Sequence, residues 1–205
     1  LAVKEQILAA DKTENALAAL RERFGIRTTH SNQEAAEAAD ILFLAVKPHI
    51  LPEAIAEMKD NIDADMLLVS IAAGKSIASI ESLFGRELVR AMPNTPALVG
   101  EGMSALCANA RVSEAELAEI RAVFNSFGVC EFVPESMMDT VVGVSGSSPA
   151  YVYLFIEAMA DAAVADGMPR AQAYKFAAQS VLGSAKMVLE TGSHPGALKD
   201  AVCSP

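Results

Sequence analysis

Three short runs do most to constrain the fold. Ile41-Leu42-Phe43-Leu44-Ala45-Val46, Met66 to Ile71 and Glu87 to Met92 are rich in apolar residues and show no strict alternation. A strand that is apolar on both sides must be covered on both, which is the condition of a central strand in a parallel sheet. Between and around these runs the chain follows helical patterning. Gln6 to Asp11 reads as a strand, Thr13 to Phe24 as a helix stopped by Gly25, and Ile26 to Thr29 as a short strand. Ser31-Asn32-Gln33-Glu34 has the form of a capping box opening a helix to Ala39, and Ser113-Glu114-Ala115-Glu116 opens another, ended by Gly128 before a strand from Val129 to Val133. Strand–helix alternation predicts a doubly wound parallel α/β sheet.

After about Asp139 the strand signals stop. Ser147-Ser148-Pro149 reads as a helix start, with hydroxyls in capping reach and proline in the first turn. Tyr151 to Asp166 then forms a helix that is apolar on nearly every side, ended by Gly167. A second helix runs from Met168-Pro169 to about Glu190, and Leu198 to Val202 opens a third element. Thirty-eight of the 205 residues are alanine and only 5 % are aromatic, which suits close-packed helices. A helix apolar all round must be buried, and two helices cannot bury that surface alone. Either they pack on the α/β domain or they interdigitate with a second subunit. The expected domains are 1–138 and 139–205.

Composition excludes several classes. Lys+Arg 16 against Asp+Glu 26 gives a net charge of −10, the wrong sign for a nucleic-acid or anionic-membrane partner. Apolar residues make up 52 % and charged residues 20 %, too core-rich for a disordered chain. Cys107, Cys130 and Cys203 are odd in number with no CxxC, which predicts free thiols in a reducing compartment. The most apolar stretch, Ala150 to Ala160, contains Glu157 and falls short of the ~20 residues a membrane span needs. A soluble cytoplasmic protein is expected.

Ligands of open α/β sheets bind at the carboxyl ends of the strands. Here those ends carry Lys47-Pro48 after Val46, Ala72-Ala73-Gly74 after Ile71, and Pro93-Asn94-Thr95-Pro96 after Met92. Small residues let a flat ring approach the backbone, a lysine reaches a phosphate or ribose, and Asn94 offers a donor and an acceptor. Other chemistries find no support. Gly74-Lys75-Ser76 imitates a P-loop, but the required first glycine is Val69. His30, His49 and His194 have no partners at metal-ligand spacing, no Gly-x-Ser-x-Gly elbow exists, and Cys107 and Cys130 lie in apolar strands as core. A dinucleotide-binding fold opens with a strand and Gly-x-Gly-x-x-Gly. That loop is expected to precede Leu1, which puts Asp11 at the ribose-reading position.

Taken together, Phe43 to Pro48, Ser70 to Gly74, Met92 to Pro96, Gly100-Glu101-Gly102, Gly143 to Tyr151 and His194-Pro195…Leu198-Lys199-Asp200…Ser204-Pro205 resemble pyrroline-5-carboxylate reductases, in the right order over nearly the whole chain. The resemblance implies an N-terminal Rossmann domain and an all-α dimerisation domain that interlocks with a partner, giving a homodimer of the kind that often assembles further into decamers. It implies reduction of Δ1-pyrroline-5-carboxylate to L-proline, the last step of proline biosynthesis, with NADPH or NADH. It assigns Ala45, Val46, Lys47 and Pro48, with Ile71, Ala72 and Ala73, to the nicotinamide nucleotide, and Asn32 to its adenosine end; Asn94 joins them from its place at the third strand end. The family's Gly-Gly-x-Thr substrate loop falls beyond Pro205, so no catalytic residue is assigned. Ser148 stands where the family usually has glycine.

Hydride transfer to a C=N bond asks mainly for placement, so the lack of a histidine constellation fits. The substrate carboxylate needs N–H groups and hydroxyls, for which Ser147, Ser148 and Ser204 are the candidates; for Ser147 and Ser148 plain N-capping is the competing role. Asp11 favours NADH by accepting from the ribose hydroxyls, whereas Lys12, Thr13 and Asn32 could accommodate a 2′-phosphate, so dual use is expected. Two alternatives are a dehydrogenase of the β-hydroxyacid type, which would need Lys175 or Lys186 in catalysis, and a non-catalytic nucleotide-binding regulator.

Overall fold

The computed structural model of the protein describes residues 3–63, 66–85 and 87–203. Two compact units are present, Leu1–Ser147 and Ser148–Pro205. Among the described residues the first contains seven strands. β1 (Leu8–Ala10) and β2 (Arg27–Thr29) form a parallel pair. β3 (Ile41–Leu44), β4 (Leu67–Ser70), β5 (Leu88–Met92), β6 (Gly102–Ala108) and β7 (Gly128–Phe132) form a second sheet in that order. The connecting helices are α1 (Glu14–Phe24), α2 (Asn32–Glu37), α3 (Leu51–Met58), α4 (Ile77–Phe84) and α5 (Glu114–Asn125).

β4 explains its own lack of alternation: all four residues are buried. Leu68 joins a cluster with Leu44, Ile55 and Met58 of α3 and Ile80 of α4, while Leu67 and Val69 join the opposite cluster with Ile120 and Phe124 of α5. Helices on both faces define the doubly wound architecture. Among the described residues β3 pairs with β4 alone, and Phe43 is 41 % exposed. The departure from an all-parallel sheet is β6, which runs antiparallel to β5, with Arg90 opposite Cys107. The nine-residue link Pro93–Glu101 holds only a 3-10 turn, Thr95–Val99, too short for the crossover that a parallel neighbour requires.

Local signals act as their chemistry dictates, with two corrections. Gly25 ends α1 in the left-handed conformation, and Ser113 and Glu116 close a full capping box on α5. The Ser31 hydroxyl accepts from Glu34 N–H at 3.1 Å, but the Glu34 carboxylate turns instead to the Thr29 hydroxyl, so that box is half made. Gly128 does not cap α5, which stops at Asn125; it opens β7 at a point where a Cβ would lie 2.0 Å from the Gly102 carbonyl oxygen. Two backbones meet there, and only glycine fits.

The strands end where expected. α6 (Met138–Val141) runs into a π-helical turn, Val142–Gly146, that closes the first unit. The second unit holds α7 (Ser148–Ala165), α8 (Arg170–Thr191) and α9 (Pro195–Val202). α7 and α8 pack through Ala160, Ala173 and Ala177, which brings the helices close. Much of their remaining apolar surface is uncovered: Tyr151, Leu154 and Phe176 are each more than 60 % exposed, and Leu189 is 84 % exposed. Exposed apolar side chains in this number on two helices mark an interaction surface. The structure contains no helix, among the described residues, long and apolar enough to cross a membrane.

Gly128→Ala should cost about 3 kcal/mol or more, because backbone must move, whereas Gly25→Ala, with only the Lys4 side chain nearby, should cost about 1 kcal/mol. Urea denaturation of the two variants tests this; equal losses would remove the close approach as the cause.

Candidate functional site at the carboxyl edge of the sheet

The parallel register builds the site. Leu44 stands opposite Ser70, and Ser70 opposite Arg90, so β3, β4 and β5 reach their carboxyl ends side by side. The ladder holds the backbone up to those residues, with Ile71 N–H still bound by the Leu44 carbonyl at 3.3 Å. Beyond them the chain is open. Ala45, Lys47, Ala73 and Gly74 are exposed, Val46, Pro48 and Ile71 half-buried, and Ala72 buried with its N–H on the Ser70 hydroxyl. Lys47 has no ion-pair partner among the described residues, and its carbonyl accepts from Ile50 and Leu51 N–H, which locks the turn into α3. An unpaired ammonium beside small residues at one sheet edge fits a phosphorylated, flat ligand such as a nicotinamide dinucleotide.

A second cluster lies at the ends of β1 and β2. Asp11 is exposed, and one carboxylate oxygen accepts from Thr13 N–H at 2.6 Å. Lys12 Nζ reaches Glu53 and Glu57 of α3, each at 3.0 Å, and Asn32 Nδ2 donates to Glu57 at 2.6 Å. Glu57 thus holds both groups that could have received a 2′-phosphate. The Lys12 hydrogen bond, then that of Asn32, keeps the Glu57 carboxyl below its usual range. The same glutamates, Glu53 first, push the Lys12 ammonium up. Glu53 and Glu57 were not singled out from the sequence. They lie 41 and 45 residues from Lys12, and on α3 they read as ordinary solvated charges.

Asn94 does not offer its amide to a ligand as expected. Its Oδ1 accepts from Met103 N–H at 2.9 Å, and its Nδ2 donates to the Ser145 carbonyl at 3.0 Å. Ser147 and Ser148 do not cap α7 in the expected way either. Helical backbone precedes them, Ser147 N–H is taken by the Val142 carbonyl at 2.8 Å, and neither hydroxyl makes a hydrogen bond among the described residues. Both hydroxyls are therefore free for a ligand. Ser204 lies outside the described residues.

Competing chemistries stay unsupported. No cluster of three metal-ligating side chains occurs among the described residues. Burial pushes the Cys107 thiol up to about 11 and raises that of Cys130 as well, so neither is a thiolate nucleophile. Lys175 is exposed, and Lys186 forms an exposed pair with Glu190, as solvated helix residues do.

A doubly wound α/β unit with an open dinucleotide edge, followed by alanine-packed helices with an uncovered apolar face, defines a nicotinamide-dependent oxidoreductase with a helical assembly module. Residues 135–205 match the pyrroline-5-carboxylate reductase dimerisation family, and residues 1–74 match a family described as NADP oxidoreductase, coenzyme F420-dependent. Over 202 residues the chain is 55 % identical to pyrroline-5-carboxylate reductase of Escherichia coli, covering 98 % of this chain and 75 % of that protein. Its counterpart in Synechocystis is 46 % identical over 91 % of this chain and 70 % of that one. The crystal structure of Plasmodium falciparum pyrroline carboxylate reductase with NADP bound superposes with a TM-score of 0.89 at 33 % identity, over 98 % of this chain and 75 % of that one. The chain belongs to the pyrroline-5-carboxylate reductase family.

At pH 8 a maleimide should leave Cys107 and Cys130 unlabelled in the native protein and reach them only after denaturation, as read by peptide mass spectrometry. Labelling of either in the folded state would contradict their burial.

Proposed function

We propose that this chain reduces Δ1-pyrroline-5-carboxylate to L-proline at the edge formed by Ala45 to Pro48 and Ile71 to Ala73, with NADPH or NADH bound there. The observation that carries the reading is the aligned ending of β3, β4 and β5, which sets the unpaired Lys47 beside exposed small residues. The dinucleotide supplies the hydride that the imine carbon accepts. The chain's own residues bind and orient. Lys47 holds a phosphate or ribose oxygen, and Ala45, Val46, Pro48, Ile71, Ala72 and Ala73 present a low wall against a flat ring. Asp11 accepts from the adenosine ribose hydroxyls with Asn32 close by, and Ser147 and Ser148 donate to the substrate carboxylate, joined by Ser204. A protonated imine is already electrophilic, so no side-chain acid is required for the transfer itself.

In this reading the domains divide at about residue 138, the first part binding the dinucleotide and the second forming the homodimer through its apolar helices. A decamer of such dimers and a cytoplasmic location complete the proposal. Both cofactors are used, with Glu57 limiting the response to a 2′-phosphate because it occupies Lys12 and Asn32 and adds a like charge.

Oxidation of NADPH and NADH that depends on added pyrroline-5-carboxylate tests the reaction; no turnover with either cofactor would overturn it. Lys47→Ala should raise the KM for the dinucleotide about tenfold, about 1.4 kcal/mol, with little change in the KM for the imine. An unchanged dinucleotide KM would remove Lys47 from the site.

Glu57→Gln should shift the Kd ratio by about threefold towards NADPH, a step of the size an exposed ion pair allows. The lowered pKa keeps Glu57 ionised and the raised pKa keeps Lys12 protonated, so above the 2′-phosphate's own titration near pH 6 the natural ratio should be flat, from about pH 7.5 to pH 9. Fluorescence titration reads both results; a shift towards NADH would contradict the assignment.

A further inference from the structure

The π-helical turn Val142–Gly146 leads into a helix whose second residue is Pro149. In an α-helix the carbonyl of Ser145 would accept from the N–H of residue 149. Proline has none, so that carbonyl loses its helical partner, and a half-buried carbonyl left alone is costly. Ser145 cannot repair this itself, because its hydroxyl donates backwards to the Val141 carbonyl at 3.2 Å. The Val142 carbonyl is already bound by Ser147 N–H at 2.8 Å.

The missing donor comes from another element. Asn94 Nδ2 donates to the Ser145 carbonyl at 3.0 Å across 51 residues of sequence. The same side chain accepts from Met103 N–H at 2.9 Å, so its amide is pinned at both ends and cannot swing away. Asn94 itself sits two residues past the end of β5 at Met92, on extended backbone (φ −126°, ψ 168°), ahead of the 3-10 turn Thr95–Val99. A second contact fixes the same approach: a Cβ added at Gly146 would lie 3.2 Å from the terminal methyl of Met92, the last residue of β5. The carboxyl end of β5 therefore grips the π turn by one hydrogen bond and one close packing contact.

We propose that Asn94 is a positioning residue whose amide replaces the N–H that Pro149 lacks, and that it thereby fixes the turn that carries Ser147. It does not touch the dinucleotide. Its effect on the reaction runs through Ser147 and rests on the reading above, in which that hydroxyl receives the substrate carboxylate. The arrangement ties the strand that ends at the dinucleotide edge to the turn that holds the substrate.

A double-mutant cycle tests this on the full chain. Asn94→Asp keeps the acceptor for Met103 and removes the donor to Ser145, and Pro149→Ala returns an N–H four residues after Ser145. In the natural background Asn94→Asp should raise the KM for pyrroline-5-carboxylate about tenfold while the dinucleotide Kd stays within about twofold. In the Pro149→Ala background the same change should cost about threefold or less, and the fall in Tm should shrink by at least half. Equal losses of Tm in both backgrounds would overturn the clamp, and an unchanged imine KM in Asn94→Asp alongside a raised one in Ser147→Ala would overturn its link to the reaction. Should Asn94→Asp not fold, Asn94→Ala carries the comparison, and failure of Pro149→Ala to restore folding counts against it. Ser147→Ala separates the two readings: an unchanged imine KM there removes Ser147 from the substrate site, while coupling in Tm still upholds the Asn94 clamp.

Discussion

Register is the constraint on which the rest depends. Parallel pairing of β3 with β4 and of β4 with β5 places Leu44, Ser70 and Arg90 level with one another. Along the β3–β4 and β4–β5 ladders the facing N–H and C=O groups are paired up to that line. Three loops of unlike sequence are thereby delivered to one edge. The apolar faces enforce the register, since slipping β4 by one residue would exchange Leu68 with Val69 between two filled clusters. Packing in the sheet's two faces thus decides where the loops emerge.

Charge then differentiates the strand ends of the two sheets. At the β3 and β4 loops the ammonium of Lys47 is left without a partner, so its attraction is available to a ligand. At the β1 and β2 ends the ammonium of Lys12 is shared between Glu53 and Glu57 and largely neutralised. The overall charge of −10 argues against any broad anion-binding surface. Local arrangement, and not net charge, accounts for a chain this acidic handling a phosphorylated cofactor.

The elements that could be read in the sequence are those whose cause is local. The filled sides of β4 appear in Met66 to Ile71, the stop at Gly25 follows from one residue, and the capping box of α5 from four. That the loops after β3 and β4 share the carboxyl edge was also readable, because neighbouring parallel strands end on the same side of a sheet. What escaped has distant causes. The reversed direction of β6 depends on the length of the link after β5. Gly128 looked like a helix stop, since nothing nearby in the chain announces the Gly102 backbone it must admit. Asn94 looked like a ligand contact for the same reason: its two partners lie 9 and 51 residues away.

Hydrogen–deuterium exchange with and without NADP+ is the most direct test of the central claim, that the dinucleotide lies along the loops after β3 and β4. Binding should slow exchange in peptides spanning residues 45–50 and 71–76, and to a lesser extent around Asp11, with the core of β4 already protected in both states. Protection confined to α7 and α8, with those loops exchanging at the same rate in both states, would contradict it.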